Sequence, residues 1–257
     1  MMGQLKRNLA LAAAWGLCVT AGSAQAVPQL QLDLDADDAF YSGDAETIQT
    51  TSDTFSVYLY LSPLSNANET ALLADTYYIS IALTPQRAAP GMLGSFDVNG
   101  GEVRVTQDMT YGRPPLELAL DGTSPSDPGD LAPHGIFDTF FYEVAVQFSA
   151  GAQTAVYNTQ DVRFADGFDS TVDCSSVDCM YFVKIDIDKS DLSDAVQLHF
   201  DGYNTSTRNG DIDITKGNDP GFVPFSHDAE TVVPEPTGLL LFSAGLLLVG
   251  RTLRRQR

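Results

Sequence analysis

The sequence contains few of the residues on which catalytic and metal sites are usually built. Only three histidines, three cysteines and one tryptophan occur among 257 residues. The chain also contains no Gly-x-Ser-x-Gly, no His-Glu-x-x-His, no phosphate loop and no dinucleotide-binding motif. These absences predict that the protein is not an enzyme.

Positive charge is scarce as well. Lysine and arginine number 14 against 34 aspartates and glutamates. Six of these 14 basic residues lie in the two terminal segments, 1–26 and 231–257, so eight bases remain against 33 acids in between, because Glu235 is the one acid of these segments. Such a surface repels nucleic acid and anionic lipid, which excludes nucleic-acid binding, and it attracts cations. Simple solubility outside the cell explains the same charge equally well.

Residues 1–26 have the composition of a secretory signal peptide. Lys6 and Arg7 precede an apolar run over residues 9–21, and Ala24-Gln25-Ala26 follows it. Small residues at Ala24 and Ala26 are those that signal peptidase requires at its cleavage site. The sequence therefore predicts cleavage by signal peptidase after Ala26 and export of the remaining chain.

Residues 231–257 form a second terminal segment in three parts. The motif at 233–236 contains Pro234, Glu235 and Pro236, an apolar stretch fills 237–250, and four arginines lie within 251–257. As a helix at about 1.5 Å per residue, the apolar stretch would span roughly 21 Å, short of the ~30 Å hydrocarbon core. The arginines would remain on the cytoplasmic side. The pattern predicts a hydrophobic helix that anchors the chain only transiently in the inner membrane.

This ending resembles the PEP-CTERM sorting signal of Gram-negative bacteria, and Pro234, Glu235 and Pro236 match its motif residue by residue. The resemblance implies recognition and cleavage by an exosortase. Proteins with this signal are commonly associated with exopolysaccharide and biofilm. The resemblance thus implies a location in the cell envelope or outside the cell.

Residues 27–230 alternate between apolar and polar positions, which is typical of half-buried strands. Segments with this alternation are 30–35, 55–61, 77–83, 103–105, 142–148, 181–187 and 196–200. Turn residues such as Asn99-Gly100-Gly101 and Asn209-Gly210-Asp211 separate the segments. About eight strands predict an acidic all-β domain, an antiparallel two-sheet sandwich of jelly-roll or immunoglobulin-like type. The residues from Arg113 to Pro133 are expected to form a long surface loop.

Several short motifs within this domain resemble the choice-of-anchor N proteins, a bacterial group that shares one domain joined to different surface-sorting signals. They include Leu30-Gln31-Leu32-Asp33, Thr84-Pro85-Gln86, Tyr157-Asn158-Thr159-Gln160 and Pro224-Phe225-Ser226-His227-Asp228. The resemblance extends over residues 29–230. It implies a surface protein and carries no enzymatic activity with it.

Cys174 and Cys179 are the two cysteines that remain after export, since Cys18 lies in the signal segment. Two cysteines five positions apart in an exported chain predict a disulfide that closes a short loop. A metal-binding pair is the weaker alternative, because no second cysteine or histidine pair lies at zinc spacing.

Three acidic segments are candidates for calcium binding. Asp186, Asp188 and Asp191 lie at a predicted strand end, Asn209, Asp211 and Asp213 alternate in a second segment, and residues 33–38 contain four aspartates. Calcium requires six to eight converging oxygens. The sequence establishes no cofactor and makes calcium the candidate, with Asp186, Asp188, Asp191, Asn209, Asp211 and Asp213 as candidate ligands. Solvated strand ends and turns explain the same pattern, and none of the segments matches the full calcium-loop motif.

The histidines are expected to be structural. His199 alternates with apolar residues of its strand and is predicted to be exposed, whereas His134 and His227 lie in loops flanked by proline. Hydrogen bonds to loop backbone explain the latter two better than a zinc or hydrolytic site does.

Three tyrosines that do not belong to the apolar faces of their predicted strands are candidates for a sugar-binding surface. Tyr58, Tyr60 and Tyr78 are predicted to project from the face of the sheet opposite the core. Aromatic rings on such a face could bind sugars, although tyrosine is also common in strands. The sequence as a whole predicts a non-enzymatic, exported surface or extracellular-matrix protein associated with exopolysaccharide. A carbohydrate-binding module and a secreted hydrolase are the alternatives.

Overall fold

The computed structural model describes residues 30–43, 47–62, 69–115, 137–205, 225–226 and 228–232. These residues form fourteen strands and two short helices, α1 (Glu69–Ala74) and α2 (Phe164–Gly167). The strands are β1 (Leu30–Asp35), β2 (Phe40–Ser42), β3 (Thr47–Thr50), β4 (Thr54–Leu61), β5 (Tyr77–Thr84), β6 (Ser95–Val98), β7 (Gly101–Arg104), β8 (Thr110–Gly112), β9 (Thr139–Val146), β10 (Gln153–Ala155), β11 (Cys179–Asp188), β12 (Gln197–Asn204), β13 (Phe225–Ser226) and β14 (Asp228–Thr231). The predicted all-β class is confirmed.

The strands are divided equally between two sheets. The first has the order β13-β1-β4-β11-β6-β7, with β10 also paired to β11, and the second has the order β2-β3-β14-β12-β5-β9-β8. Two pairs are parallel, β1 with β13 and β3 with β14, and the remaining pairs are antiparallel. The sandwich prediction is therefore correct, but the sheets are mixed. The C-terminal strands are the cause, because each lies beside an early strand and runs in the same direction.

The main core lies between the two sheets. Val57 of β4 pairs with Ile185 of β11 in the first sheet, and both are at most 1% exposed. Phe200 of β12 enters from the second sheet, and its ring lies 5.8 Å from the ring of Phe55, nearly perpendicular to it. Burial of these apolar side chains is the main stabilising contribution to such a fold.

A tight contact between the sheets occurs at Gly202 of β12. A Cβ atom at this position would lie 2.4 Å from Leu59 Cδ1. Leu59 is itself fully buried in the core. Glycine therefore allows the two sheets to approach at this point more closely than any larger residue would.

The hairpin between β6 and β7 agrees with its sequence signal. Asn99 and Gly100 both have positive φ, 52° and 77°. Two consecutive positive φ values are typical of the type I′ turn, for which Asn-Gly is the preferred pair. The turn predicted at Asn99-Gly100-Gly101 is confirmed.

The prediction that Tyr58 and Tyr60 are exposed is wrong. Tyr58 is 6% exposed and Tyr60 is fully buried. Together with Tyr157 and Met180 they form a second, smaller apolar cluster, against which Phe164 and Phe168 pack. The segment that contains Tyr157 and α2 covers this face of the first sheet, so the predicted sugar-binding surface does not exist at these two residues. Tyr78 is half-buried and stacks on Tyr203.

A disulfide joins Cys174 and Cys179, with an S–S distance of 2.05 Å. It closes the turn that leads directly into β11.

Within the described ranges, neither helix has the length and apolar character needed to cross a membrane. The hydrophobic helix expected at 237–250 lies outside these ranges.

Candidate functional site

The most unusual polar cluster of the described residues lies on the second sheet. On β12, Leu198 and Phe200 face the core, so the alternating residues His199 and Asp201 point to the opposite face. On β14, Ala229 belongs to the core, and its neighbours Asp228 and Glu230 point away from it. Strands β12 and β14 pair antiparallel with His199 opposite Glu230. Strand pairing therefore places one histidine among three carboxylates.

The distances within this cluster, here called the histidine–carboxylate cluster (His199, Asp201, Asp228 and Glu230), are short. His199 Nε2 lies 3.3 Å from Asp201 Oδ1 and 3.7 Å from Asp228 Oδ2. The other ring nitrogen, Nδ1, lies 3.9 Å from Glu230 Oε2. His199, Asp201 and Asp228 can each offer one ligand atom within 4.8 Å of those of the other two. The two ring nitrogens of the imidazole thus lie near different carboxylates.

The cluster is deeply buried. His199 is 4% exposed, and Asp201 and Asp228 are 0% exposed. Glu230 is partly exposed, with 24% of its side chain accessible, and its Oε1 accepts a hydrogen bond of 2.5 Å from Gln49 Nε2. In the part of the chain that the structure describes, Asp201 Oδ2 is fully buried and accepts no hydrogen bond. A buried carboxylate oxygen without a partner is costly and calls for an explanation.

Burial alone would lower the pKa of His199, but the carboxylates of Asp201, Glu230 and Asp228 outweigh it and raise this pKa well above its ordinary value. Among the described residues of the cluster, one imidazole faces two fully buried carboxylates. An imidazole nitrogen together with carboxylate oxygens is a donor set that divalent metal ions bind.

The prediction that His199 is exposed is wrong. Its side chain is buried, and it lies beside Asp228 and Glu230 of β14. Sequence reasoning also missed Asp201, Asp228 and Glu230 as members of one site. The sequence signal for them is that polar residues two positions apart flank an apolar residue, in His199-Phe200-Asp201 and in Asp228-Ala229-Glu230. Residues two positions apart on a strand lie on the same face.

A second polar feature lies beneath the smaller apolar cluster. The Tyr157 hydroxyl donates to Asp33 Oδ2 at 2.8 Å and lies 2.6 Å from the Tyr60 hydroxyl. Because a hydroxyl has one proton, Tyr60 then donates to Tyr157. Asp33 Oδ1 accepts from the Leu34 amide at 2.8 Å. Burial raises the pKa of Asp33 to about 7, against the lowering effect of the Tyr157 and Leu34 hydrogen bonds.

Asp33 also borders a cleft of about 340 Å³ between the β1–β2 turn and residues 159–166. Exposed carboxylates line it, and Phe40 at its edge is 46% exposed. The lining acids are Asp35, Asp37, Asp161 and Asp166. Arg163 fixes one wall by donating to the Ala39 carbonyl, with its Nη2 at 2.6 Å. The cleft can attract cations, and it offers the exposed ring of Phe40 to a ligand.

Asp38, from the same acidic segment, has a structural role. Its carboxylate accepts hydrogen bonds from the Thr51 amide at 2.7 Å and the Ser52 hydroxyl at 2.8 Å, and from the hydroxyls of Thr50 and Thr51. Burial opposes ionisation, but these bonds outweigh it and hold the pKa of Asp38 well below its usual range. Asp38 therefore fixes the turn between β3 and β4.

Three of the six predicted calcium ligands, Asp186, Asp188 and Asp191, lie among the described residues, and they do not form a common site. Asp186 accepts from Lys184 Nζ at 2.8 Å and from Ser56 Oγ at 2.7 Å, and Asp188 accepts from the Ser190 amide at 2.9 Å. Among the described residues, Asp186, Asp188 and Asp191 do not converge on a common point. Asp186 and Asp188 are instead paired locally, because they follow one strand and its turn.

Other predicted site residues lie outside the described residues. They are the signal-cleavage residues Ala24 and Ala26, the calcium candidates Asn209, Asp211 and Asp213, the loop histidines His134 and His227, and the sorting motif Pro234, Glu235 and Pro236. Most of the loop expected at 113–133 lies outside them as well.

Comparison of the chain with protein-family models, with curated proteins and with solved structures found no match. The site must therefore be interpreted from its own geometry.

Proposed function

We propose that this chain is an exported, non-enzymatic surface or extracellular-matrix protein that is sorted by an exosortase and associates with exopolysaccharide. The observation that carries the proposal is the order of parts at the C-terminus. Pro234-Glu235-Pro236 precedes the apolar stretch 237–250, and the arginines of 251–257 follow it. The resemblance of this order to a PEP-CTERM signal supports delivery to the cell surface.

The folded domain has properties that suit this role. The Cys174–Cys179 disulfide is of a kind that persists in oxidising compartments, outside the cytosol. The strongly acidic composition keeps a protein soluble and separated from anionic polymers unless cations are present. The cleft beside β1, with its exposed Phe40 and its acidic lining, is the surface that we assign to contact with polysaccharide.

The experiment replaces Pro234, Glu235 and Pro236 together by alanine in a host that has an exosortase. We expect the altered protein to remain in the membrane fraction with its C-terminus attached, while the wild type reaches the surface. Immunoblots of cell fractions give the location, and intact-mass spectrometry shows whether residues 251–257 have been removed.

A matched control replaces Pro220 and Pro224 by alanine, which changes the same residue type outside the motif. This control should be sorted like the wild type. Surface protein that retains Arg257, or a motif variant that is sorted normally, would contradict the proposal.

A further inference from the structure

The histidine–carboxylate cluster places three carboxylates around one imidazole. Asp201 and Asp228 are both 0% exposed, and Glu230 adds a third carboxylate at the edge. A buried carboxylate is stable where a cation or hydrogen-bond donors compensate its charge. A divalent cation beside a neutral imidazole is one group that compensates two buried aspartates.

The orientation of the imidazole also favours a bound cation. Nε2 faces Asp201 at 3.3 Å and Asp228 at 3.7 Å, so one ring nitrogen and two carboxylates border the same space. Nδ1 faces Glu230, whose other oxygen is held by Gln49 at 2.5 Å. A histidine that binds a metal through one nitrogen commonly directs its other N–H toward a carboxylate. Glu230 has the position that such a second carboxylate needs.

The buried oxygen Asp201 Oδ2 is an independent indication. It is fully buried and, within the described ranges, accepts no hydrogen bond. Either a hydrogen-bond donor or a bound cation can satisfy a buried carboxylate oxygen of this kind. Its residue is one of the three that bring their ligand atoms within 4.8 Å of one another.

We propose that His199, Asp201 and Asp228 bind one divalent transition-metal ion, with Glu230 orienting the imidazole. Calcium is disfavoured, because it takes six to eight hard oxygen ligands and this site supplies an imidazole nitrogen. Nitrogen and carboxylate donors suit zinc and its neighbours in the first transition series. The site lies between β12 and β14, so the ion joins the last described strand of the chain to the sheet. This inference concerns the folded domain and does not depend on where the protein is delivered.

The test measures metal content and metal-dependent stability of the full chain in mild detergent. The protein is unfolded in urea with its disulfide intact and refolded with EDTA or with Zn²⁺, because the buried side chains are accessible to the ion during refolding. We expect one zinc ion per chain by elemental analysis after dialysis. We also expect a higher unfolding midpoint for the zinc-loaded form, while Ca²⁺ gives no such increase.

Two variants locate the ion, since zinc could also bind elsewhere in the chain. Asp201→Asn preserves the side-chain shape and removes a ligand charge, and it should weaken zinc binding by at least about 100-fold. Glu230→Gln should weaken it by about 10–100-fold through the imidazole. Asp188→Asn changes an aspartate outside the cluster and should bind zinc like the wild type. His199→Gln serves as the second ligand variant if Asp201→Asn does not fold, as judged by circular dichroism.

Two results would overturn the proposal. The first is wild-type protein that, after refolding with Zn²⁺, Mn²⁺ or Co²⁺, contains no stoichiometric metal. The second is zinc binding that is unchanged in the folded ligand variants, because the ion would then lie elsewhere. In either case the cluster is a buried ion pair between His199 and its carboxylates.

Discussion

Replacement of Asp33 by asparagine tests whether the hydrogen-bonded network beneath the smaller apolar cluster controls the pH dependence of stability. Asp33 is 2% exposed, and its pKa is raised from 3.8 to about 7. The folded state therefore binds a proton at this carboxyl over a pH range in which the unfolded state has lost it. The contribution of Asp33 to stability is fully present below about pH 4 and is lost as the pH rises toward 7.

The expected magnitude follows from the interval between these two pKa values. At about 1.36 kcal/mol per unit, it corresponds to roughly 4 kcal/mol for complete ionisation of the buried carboxyl. Asparagine mimics the protonated form. Its oxygen can accept from the Leu34 amide, and its Nδ2 can donate to the Tyr157 hydroxyl, which then donates to Tyr60. Asp33→Asn should therefore retain the network without the cost of ionisation.

The assay is urea-induced unfolding of the wild type and the variant at about pH 4.5 and about pH 8, which bracket the titration of Asp33. Between these values the wild type should lose several kcal/mol relative to Asp33→Asn. Asp178→Asn, which removes an exposed carboxylate, should follow the wild type. Parallel pH profiles for the wild type and Asp33→Asn would refute the reasoning, since Asp33 would then ionise at its ordinary pKa.

Two further substitutions test other structural features. Asp38→Asn should cost about 1–3 kcal/mol near neutral pH, because it weakens the charge-assisted hydrogen bonds to Thr50, Thr51 and Ser52. Because the pKa of Asp38 is depressed, its contribution to stability is present above about pH 4 and is lost as the pH falls. The stability difference between Asp38→Asn and the wild type should therefore shrink at about pH 2.5 in the same denaturant assay. A difference that stays constant with pH would contradict this. Gly202→Ala should cost about 1–3 kcal/mol in urea unfolding, because its Cβ would lie 2.4 Å from the buried Leu59 Cδ1. Gly43→Ala is the control, since no atom lies within 4 Å of its added Cβ, and equal stability of the two variants would rule out the predicted clash.

Long strands could be predicted from the sequence, but their surroundings could not. The alternation in 55–61 correctly located β4 and the core side of Phe55, Val57, Leu59 and Leu61. It did not reveal that the opposite side, with Tyr58 and Tyr60, is buried too. The segment that covers these tyrosines has no period of its own, and a packed irregular segment gives no pattern from which its position can be predicted.

Short strands escaped prediction for a related reason. Strands such as β2 (Phe40–Ser42) and β14 (Asp228–Thr231) have three or four residues, too few for an alternation to be distinguished from chance. The histidine–carboxylate cluster depends on one of them. The face of His199 and Asp201 could be predicted from their spacing, but the register of β12 against β14 is a property of the tertiary structure.

The parallel C-terminal strands affect how the domain would bear mechanical load. Strand β14 lies between β3 and β12, bonded on both sides, and β13 just before it pairs with β1 of the other sheet. A force applied beyond Val232 would act at the same time on the backbone hydrogen bonds of β14 to β3 and to β12. It could not peel β14 away as a single edge strand. A domain held at this end would resist extension at the point where a tether pulls.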